Sequence, residues 1–156
     1  MPVFELIEIA TTLAPGKRLM GLDIGSKTVG LALSDVNRTI ATPLITLKRE
    51  KFSKDADELE RLIDEYDIGA LILGLPISMD GSEGPRCQST RQFATNLMQR
   101  RDVIIGFQDE RLSTAAVERF LIGEADMTRK RRAQVVDRAA AAYILQGALD
   151  AMAHQA

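Results

Sequence analysis

The chain is short of the residues on which most hydrolytic chemistry depends. Its 156 residues include one cysteine, Cys87, and one histidine, His154, two residues from the C-terminus. One cysteine forms no internal disulfide and builds no cysteine-ligated zinc site. Serine and cysteine triads and histidine metal clusters need a well-placed imidazole, so the same shortage argues against them. Tryptophan is absent and aromatics make up 4% of the sequence, too few for a platform on which single-stranded bases stack. No apolar run approaches the roughly eighteen residues of a membrane span. Residues 1–17 carry Glu5 and Glu8 ahead of apolar positions and lack the basic leader and continuous hydrophobic stretch of a secretory signal. A cytoplasmic protein is expected, and if it is an enzyme, carboxylates carry the chemistry.

What is there has the balance of an ordinary globular domain. Hydrophobic residues make up 46%, charged residues 27%, and mean hydropathy is -0.05, unlike a disordered or fibrous chain. A domain of this length buries about 70% of the surface it exposes unfolded, enough for one core without staples. A formal net charge of -2 and an isoelectric point near 5.5 argue against a uniformly basic nucleic-acid coat but leave room for a local patch.

No repeat, low-complexity tract or Pro/Gly/Ser-rich linker divides the chain, so the expected organisation is one domain over residues 18–156 behind an N-terminal extension over residues 1–17. In the extension a short amphipathic helix is expected over Glu5 to Leu13, stopped by Ala14-Pro15-Gly16. Three strands follow, Arg18 to Asp23, Thr28 to Ser34 and Thr39 to Leu47, and the short turn-forming gaps between them predict antiparallel hairpins. After Ser53, a candidate N-cap, Leu59, Leu62, Ile63 and Tyr66 recur at helical spacing. Ala70-Leu71-Ile72-Leu73 is wholly apolar, as in a parallel strand buried on both faces. Pro85 suits the first turn of a helix reaching about Arg101. Val103 to Phe107 reads as a second buried strand, Ser113 or Thr114 can cap a helix over Ala115 to Ile122, and an alanine-rich helix is expected from about Arg131 to His154. Hairpins followed by alternating helix and strand predict a three-layer α/β domain, a mixed five-stranded sheet flanked by helices.

The acids fall at strand ends. Asp23 closes the first strand before Ile24-Gly25, where a glycine lets a phosphate approach the backbone and where open α/β sheets carry their chemistry. Asp109 and Glu110 follow the strand Val103 to Phe107. Spacing leaves open which of the two would join Asp23. Asp137 shares a helical stripe with Ala140, Ala141, Ile144, Leu145 and Ala148, and an acid on an apolar stripe needs a cation or donor partner. Three carboxylates gathered at one sheet edge repel each other unless a divalent ion lies between them, and oxygen-only ligation favours Mg²⁺ or Mn²⁺. Two such ions ~4 Å apart can activate water and stabilise the leaving oxygen in phosphodiester cleavage without a histidine.

Arg129-Lys130-Arg131-Arg132 stands at the start of a helix, where the macrodipole disfavours cations, and phosphate is the natural attraction. Between Met127 and Arg138 five basic residues oppose one acid. Lys27 and Arg111 adjoin two of the candidate acids and are placed to hold the phosphates of the cleaved strand. The nucleic acid expected is read by backbone and shape. Two look-alikes fail on spacing. Gly25-Ser26-Lys27-Thr28 lacks the adjacent Gly-Lys-Ser/Thr of a P-loop, and Asp80-Gly81-Ser82-Glu83-Gly84 lacks the ligand ladder of a calcium loop.

Six blocks in order then carry a resemblance. They are Gly21-Leu22-Asp23-Ile24-Gly25-Ser26-Lys27-Thr28-Val29-Gly30, Ala32-Leu33-Ser34-Asp35, Ala41-Thr42-Pro43-Leu44, Gly74-Leu75-Pro76 with Met79-Asp80-Gly81-Ser82-Glu83-Gly84, Asp109-Glu110-Arg111-Leu112-Ser113-Thr114, and Val136-Asp137-Arg138-Ala139-Ala140-Ala141. Over about Arg18 to Ala151 the chain resembles the YqgF-type Holliday junction resolvases, also described as pre-16S ribosomal RNA nucleases. The resemblance implies a ribonuclease-H-like fold and a metal-binding catalytic set of Asp23, Glu110 and Asp137, with Glu110 preferred to Asp109. It also implies a cytoplasmic protein of ribosome maturation whose partners are structured RNA or branched DNA and ribosomal precursor particles, as monomer or homodimer.

Two other readings stay in play. Sugar-kinase and actin-like ATPases hold nucleotide phosphates with a similar Asp-x-Gly hairpin, but they need two lobes and the chain has length for one. A non-enzymatic nucleic-acid-binding factor would keep the fold and bind RNA without metal.

Overall fold

Three successive strands with turn residues between them form the antiparallel half of a sheet, and two more strands, each following a helix and the first wholly apolar, complete it. In the computed structural model of the chain, residues 5–77, 80–109 and 129–155 are described, with backbone alone at 7, 129–137, 154 and 155. The elements are α1 (Leu6–Thr12), β1 (Arg18–Ile24), β2 (Thr28–Ser34), β3 (Ala41–Lys48), α2 (Phe52–Tyr66), β4 (Ile68–Leu75), α3 (Pro85–Arg100), β5 (Ile104–Asp109) and α4 (Arg129–Gln155). The sheet order is β3-β2-β1-β4-β5. β1 pairs antiparallel with β2 and β2 with β3, while β4 lies parallel to both β1 and β5.

Alternation along the strands divides two cores between the faces. Met20, Leu22, Leu71, Leu73 and Ile105 pack with Leu59, Leu62, Phe93 and Leu97 of α2 and α3. Leu19, Ala32, Ala70 and Ile72 pack on the other face with Ile144, Leu145, Ala148 and Leu149 of α4. β4 supplies side chains to both faces, which is why its run is wholly apolar. Each such leucine, fully buried, contributes roughly 1.5–3 kcal/mol.

The extension packs onto this second core. A reciprocal capping box between Glu5 and Glu8 starts α1, Ile9 is fully buried, and Leu13 lies where a side chain on Gly69 would otherwise sit, 2.9 Å from its Cβ position. α4 reaches the sheet's antiparallel edge through Gln146, whose Oε1 accepts from Ala41 N at 2.8 Å and whose Nε2 donates to Thr39 O at 3.0 Å.

Some boundaries differ from those expected. α2 begins at Phe52 with Lys51 at its cap position, not at a Ser53 cap, because Asp55 turns back and accepts from Glu50 N at 3.1 Å. β1 extends one residue past Asp23, and β5 runs on through Asp109 because parallel pairing with β4 continues to Leu75. The helix expected over Ala115 to Ile122 lies outside the described residues. Among the described residues no helix is long and apolar enough to cross a membrane.

Candidate active site

Asp23 is the penultimate residue of β1 and is half-buried. Since Met20, Leu22 and Ile24 belong to the core beneath α2 and α3, the pleat assigns Asp23 to the α4 face, with Leu19 and Gly21. The positions abreast of it in the two adjacent strands are glycines. Asp23 stands opposite Gly30 of β2, and one step beyond the Leu22–Leu73 pair it comes abreast of Gly74 of β4, which is itself paired with Gln108. A half-buried carboxylate therefore lies at the carboxyl end of the parallel strands, flanked across the sheet by two glycines.

α4 comes down on the same face. A Cβ on Gly21 would lie 2.9 Å from Ala141 O and 2.8 Å from Leu145 Cβ, so the absence of that atom lets helix and strand meet backbone to backbone. Asp137 stands one turn before Ala141 in the i, i+4, i+8 row that continues to Leu145. Arg129, Lys130, Arg131 and Arg132 form the first turn of α4.

Asp109 is exposed, and its pairing with Leu75 puts it in phase with Ile105 and Phe107, on the α2/α3 face. Asp23 and Asp109 are thus on opposite faces. Gln108 is in phase with Asp23, its Nε2 only 3.1 Å from where a side chain on Gly147 would begin. Glu110 and Arg111 lie outside the described residues, and of Asp137 the backbone alone is described. Among residues with described side chains no three acids, histidines or cysteines gather.

Other motif residues have structural work. Ser34 Oγ accepts from Leu19 N at 2.9 Å. Asp35 accepts from Thr39 N, Thr39 Oγ1 and Ile40 N at 2.7, 2.8 and 3.0 Å, and those donors, Ile40 N first, hold its pKa down at about 2. In the loop before α3, Asp80 accepts from Ser82 Oγ and N and is held below the usual carboxylate range by them. Glu83 receives two hydrogen bonds of 2.8 Å from Arg91, which lower its pKa, while the Arg91 guanidinium lies 4.9 Å from the Phe107 ring centre. This chain of contacts ties the loop to the end of β5.

Sequence reasoning missed the glycines beside Asp23 and two cations, Arg49 and Arg86, that line one groove with Lys27. The glycines were visible as residues but not as neighbours, since only the strand register aligns them.

A mixed 3-2-1-4-5 sheet with an acid near the end of its first strand and a long helix across that face defines a ribonuclease-H-like protein. Its fold is that of Thermus thermophilus RuvC, whose structure in complex with a Holliday junction substrate matches with a TM-score of 0.52 at 15% identity, covering 86% of this chain and 94% of that one. The chain belongs to the RuvX family, described as Holliday junction resolvase, which it matches over residues 17–151. A Rhodospirillum rubrum protein named "Putative pre-16S rRNA nuclease" is 61% identical over 155 residues, covering 99% of this chain and 96% of the relative. One of the same name from Paramagnetospirillum magneticum is 59% identical over 150 residues, 96% of each.

Proposed function

We propose that the chain is a divalent-metal-dependent endonuclease that hydrolyses phosphodiester bonds in structured RNA, trimming the 5′ end of pre-16S ribosomal RNA in the cytoplasm. The observation that carries this reading is the placement of Asp23, half-buried between Gly30 and Gly74 on the face that α4 crosses. Family membership and the names of the two relatives agree with it.

Asp23, Glu110 and Asp137 form the proposed ligand set. It fits a hard dication in its chemistry, since it offers carboxylate oxygens alone. The chemistry that Mg²⁺ or Mn²⁺ supplies when bound is activation of a water and charge relief on the leaving oxygen. The carboxylates hold that charge at the sheet edge, α4 carries Asp137 in along the Ala141 row, and Gly21 allows the close approach. Lys27, Arg111 and the run Arg129, Lys130, Arg131 and Arg132 hold the substrate's phosphates, neutralising charge without reading bases.

The test is a cleavage panel of precursor 16S RNA, linear duplex and a four-way DNA junction, with Mg²⁺ or with chelator. Precursor RNA should be cut only with metal, and Asp23→Asn should abolish cutting while leaving the circular dichroism spectrum unchanged. Preference for the junction would move the substrate to branched DNA. Full activity in the variant would remove Asp23 from the chemistry.

A further inference from the structure

On the α2/α3 side of the β1–β2 turn, an open groove of about 560 Å³ runs between the turn, the end of β3 and the start of α3. Ser26, Lys27, Thr28, Arg49, Arg86 and Ser89 line it, and among the described residues no carboxylate does. The contrast with the outer faces of α2 and α3 is sharp. There Arg61 meets Glu58 and Glu65, Arg100 meets Asp57 and Glu60, and Arg101 meets Asp64. At the groove Lys27 and Arg86 have no acidic partner among the described residues, in a chain whose net charge is -2.

Arg49 is different again, because it is held in place. Its Nη1 donates to Gly25 O at 2.8 Å, its backbone N donates to Lys27 O at 2.8 Å, and its guanidinium lies 5.6 Å from the Phe93 ring centre. The acid behind it, Asp55, is buried, and its Oδ2 comes no nearer than 4.0 Å to Arg49 Nε. A fixed cation therefore braces the turn, with two beside it that have no acidic partner among the described residues. Three like charges around a concavity repel one another, and an anion among them removes that cost.

The groove begins one residue past Asp23, and the four residues from Asp23 to Lys27 reach at most about 14 Å, about four steps of a nucleic-acid strand at ~3.4 Å axial rise. We infer that this groove seats the sugar-phosphate backbone of the substrate strand beside the cleaved bond, with Lys27 and Arg86 contacting phosphates and Arg49 positioning the turn that carries Lys27. The inference rests on the nuclease reading and adds to it where the strand runs after leaving the acids.

The test measures binding without cleavage. Fluorescence anisotropy in chelator would follow a labelled hairpin from the 5′ end of pre-16S RNA, and separately a four-way DNA junction, across a series of salt concentrations. Arg86→Gln should weaken binding of the preferred probe about tenfold and reduce the slope of log K against log salt by about one, and Lys27→Gln with Arg86→Gln by about two. Arg61→Gln, which removes the same charge from the outer face of α2, should leave affinity and slope unchanged. Wild-type affinity in Arg86→Gln, equal losses in Arg86→Gln and Arg61→Gln, or no binding of either probe without metal would overturn the assignment. The nuclease reading fails separately, on an Asp23→Asn variant that still cleaves.

Discussion

Asp109 and Glu110 are neighbours of equal charge, yet a strand does not offer successive residues to one face. Asp109 pairs with Leu75 and falls in phase with Phe107, on the face away from α4. Were the alternation of β5 carried one residue further, Glu110 would share the parity of Gln108 and Asp23. Glu110→Gln should therefore reduce the cleavage rate at least about a hundredfold, as expected of a lost ligand, whereas Asp109→Asn should stay within a few-fold of wild type. Rates of RNA cleavage at saturating Mg²⁺ decide it, and equal losses in both variants would defeat the parity argument. Asp35, only a residue beyond β2, illustrates the opposite case: its three donors close the β2–β3 turn. Its folded pKa of about 2 lies below the ordinary value of 3.8, so the stability it adds is present above the ordinary value and is lost as pH falls towards 2.

At the scale of elements, the meeting of β1 and α4 matters most, and it depends on one absent methyl. Gly21→Ala puts a Cβ within 3 Å of both Ala141 O and Leu145 Cβ, neither of which is the free end of a flexible side chain. The helix must shift, at about 1–3 kcal/mol, and the row carrying Asp137 moves with it. Lower thermal stability and lost cleavage should appear together in that variant, and a stable, fully active Gly21→Ala would show that α4 need not approach so closely. The separate elements were legible in local pattern: the apolar run at 70–73 is β4, Pro85 does open α3, and the gap at 25–27 is a hairpin turn. What was not legible is non-local. β4 lies between β1 and β5, and only that register sets Gly74 beside Asp23 and turns Asp109 to the other face. The docking of α1 is hidden for the same reason, since Gly69 matters only once Leu13 lies over it. Of the candidate acids, Asp23 and Asp109 are placed with their side chains, and Asp137 by its helix alone.

For the whole molecule, the proposed cluster of Asp23, Glu110 and Asp137 would be a cost that folding bears until a cation relieves it. Like charges near 4 Å apart repel by roughly 1 to 4 kcal/mol per pair, depending on the surrounding dielectric. A ligand that binds only the folded chain stabilises it by about 2.7 kcal/mol at a hundred times its dissociation constant, which for a domain of this size raises the melting temperature by about 5–10 °C. Saturating Mg²⁺ or Mn²⁺ should produce a rise of that order in the wild-type chain, followed by calorimetry. Asparagine at position 23 keeps the shape and one carbonyl oxygen while removing a negative charge. Asp23→Asn should accordingly melt in chelator no lower than wild type and respond little to metal. A variant that melts several degrees lower in chelator yet keeps the full metal-induced rise would make Asp23 a structural acceptor, like Asp35.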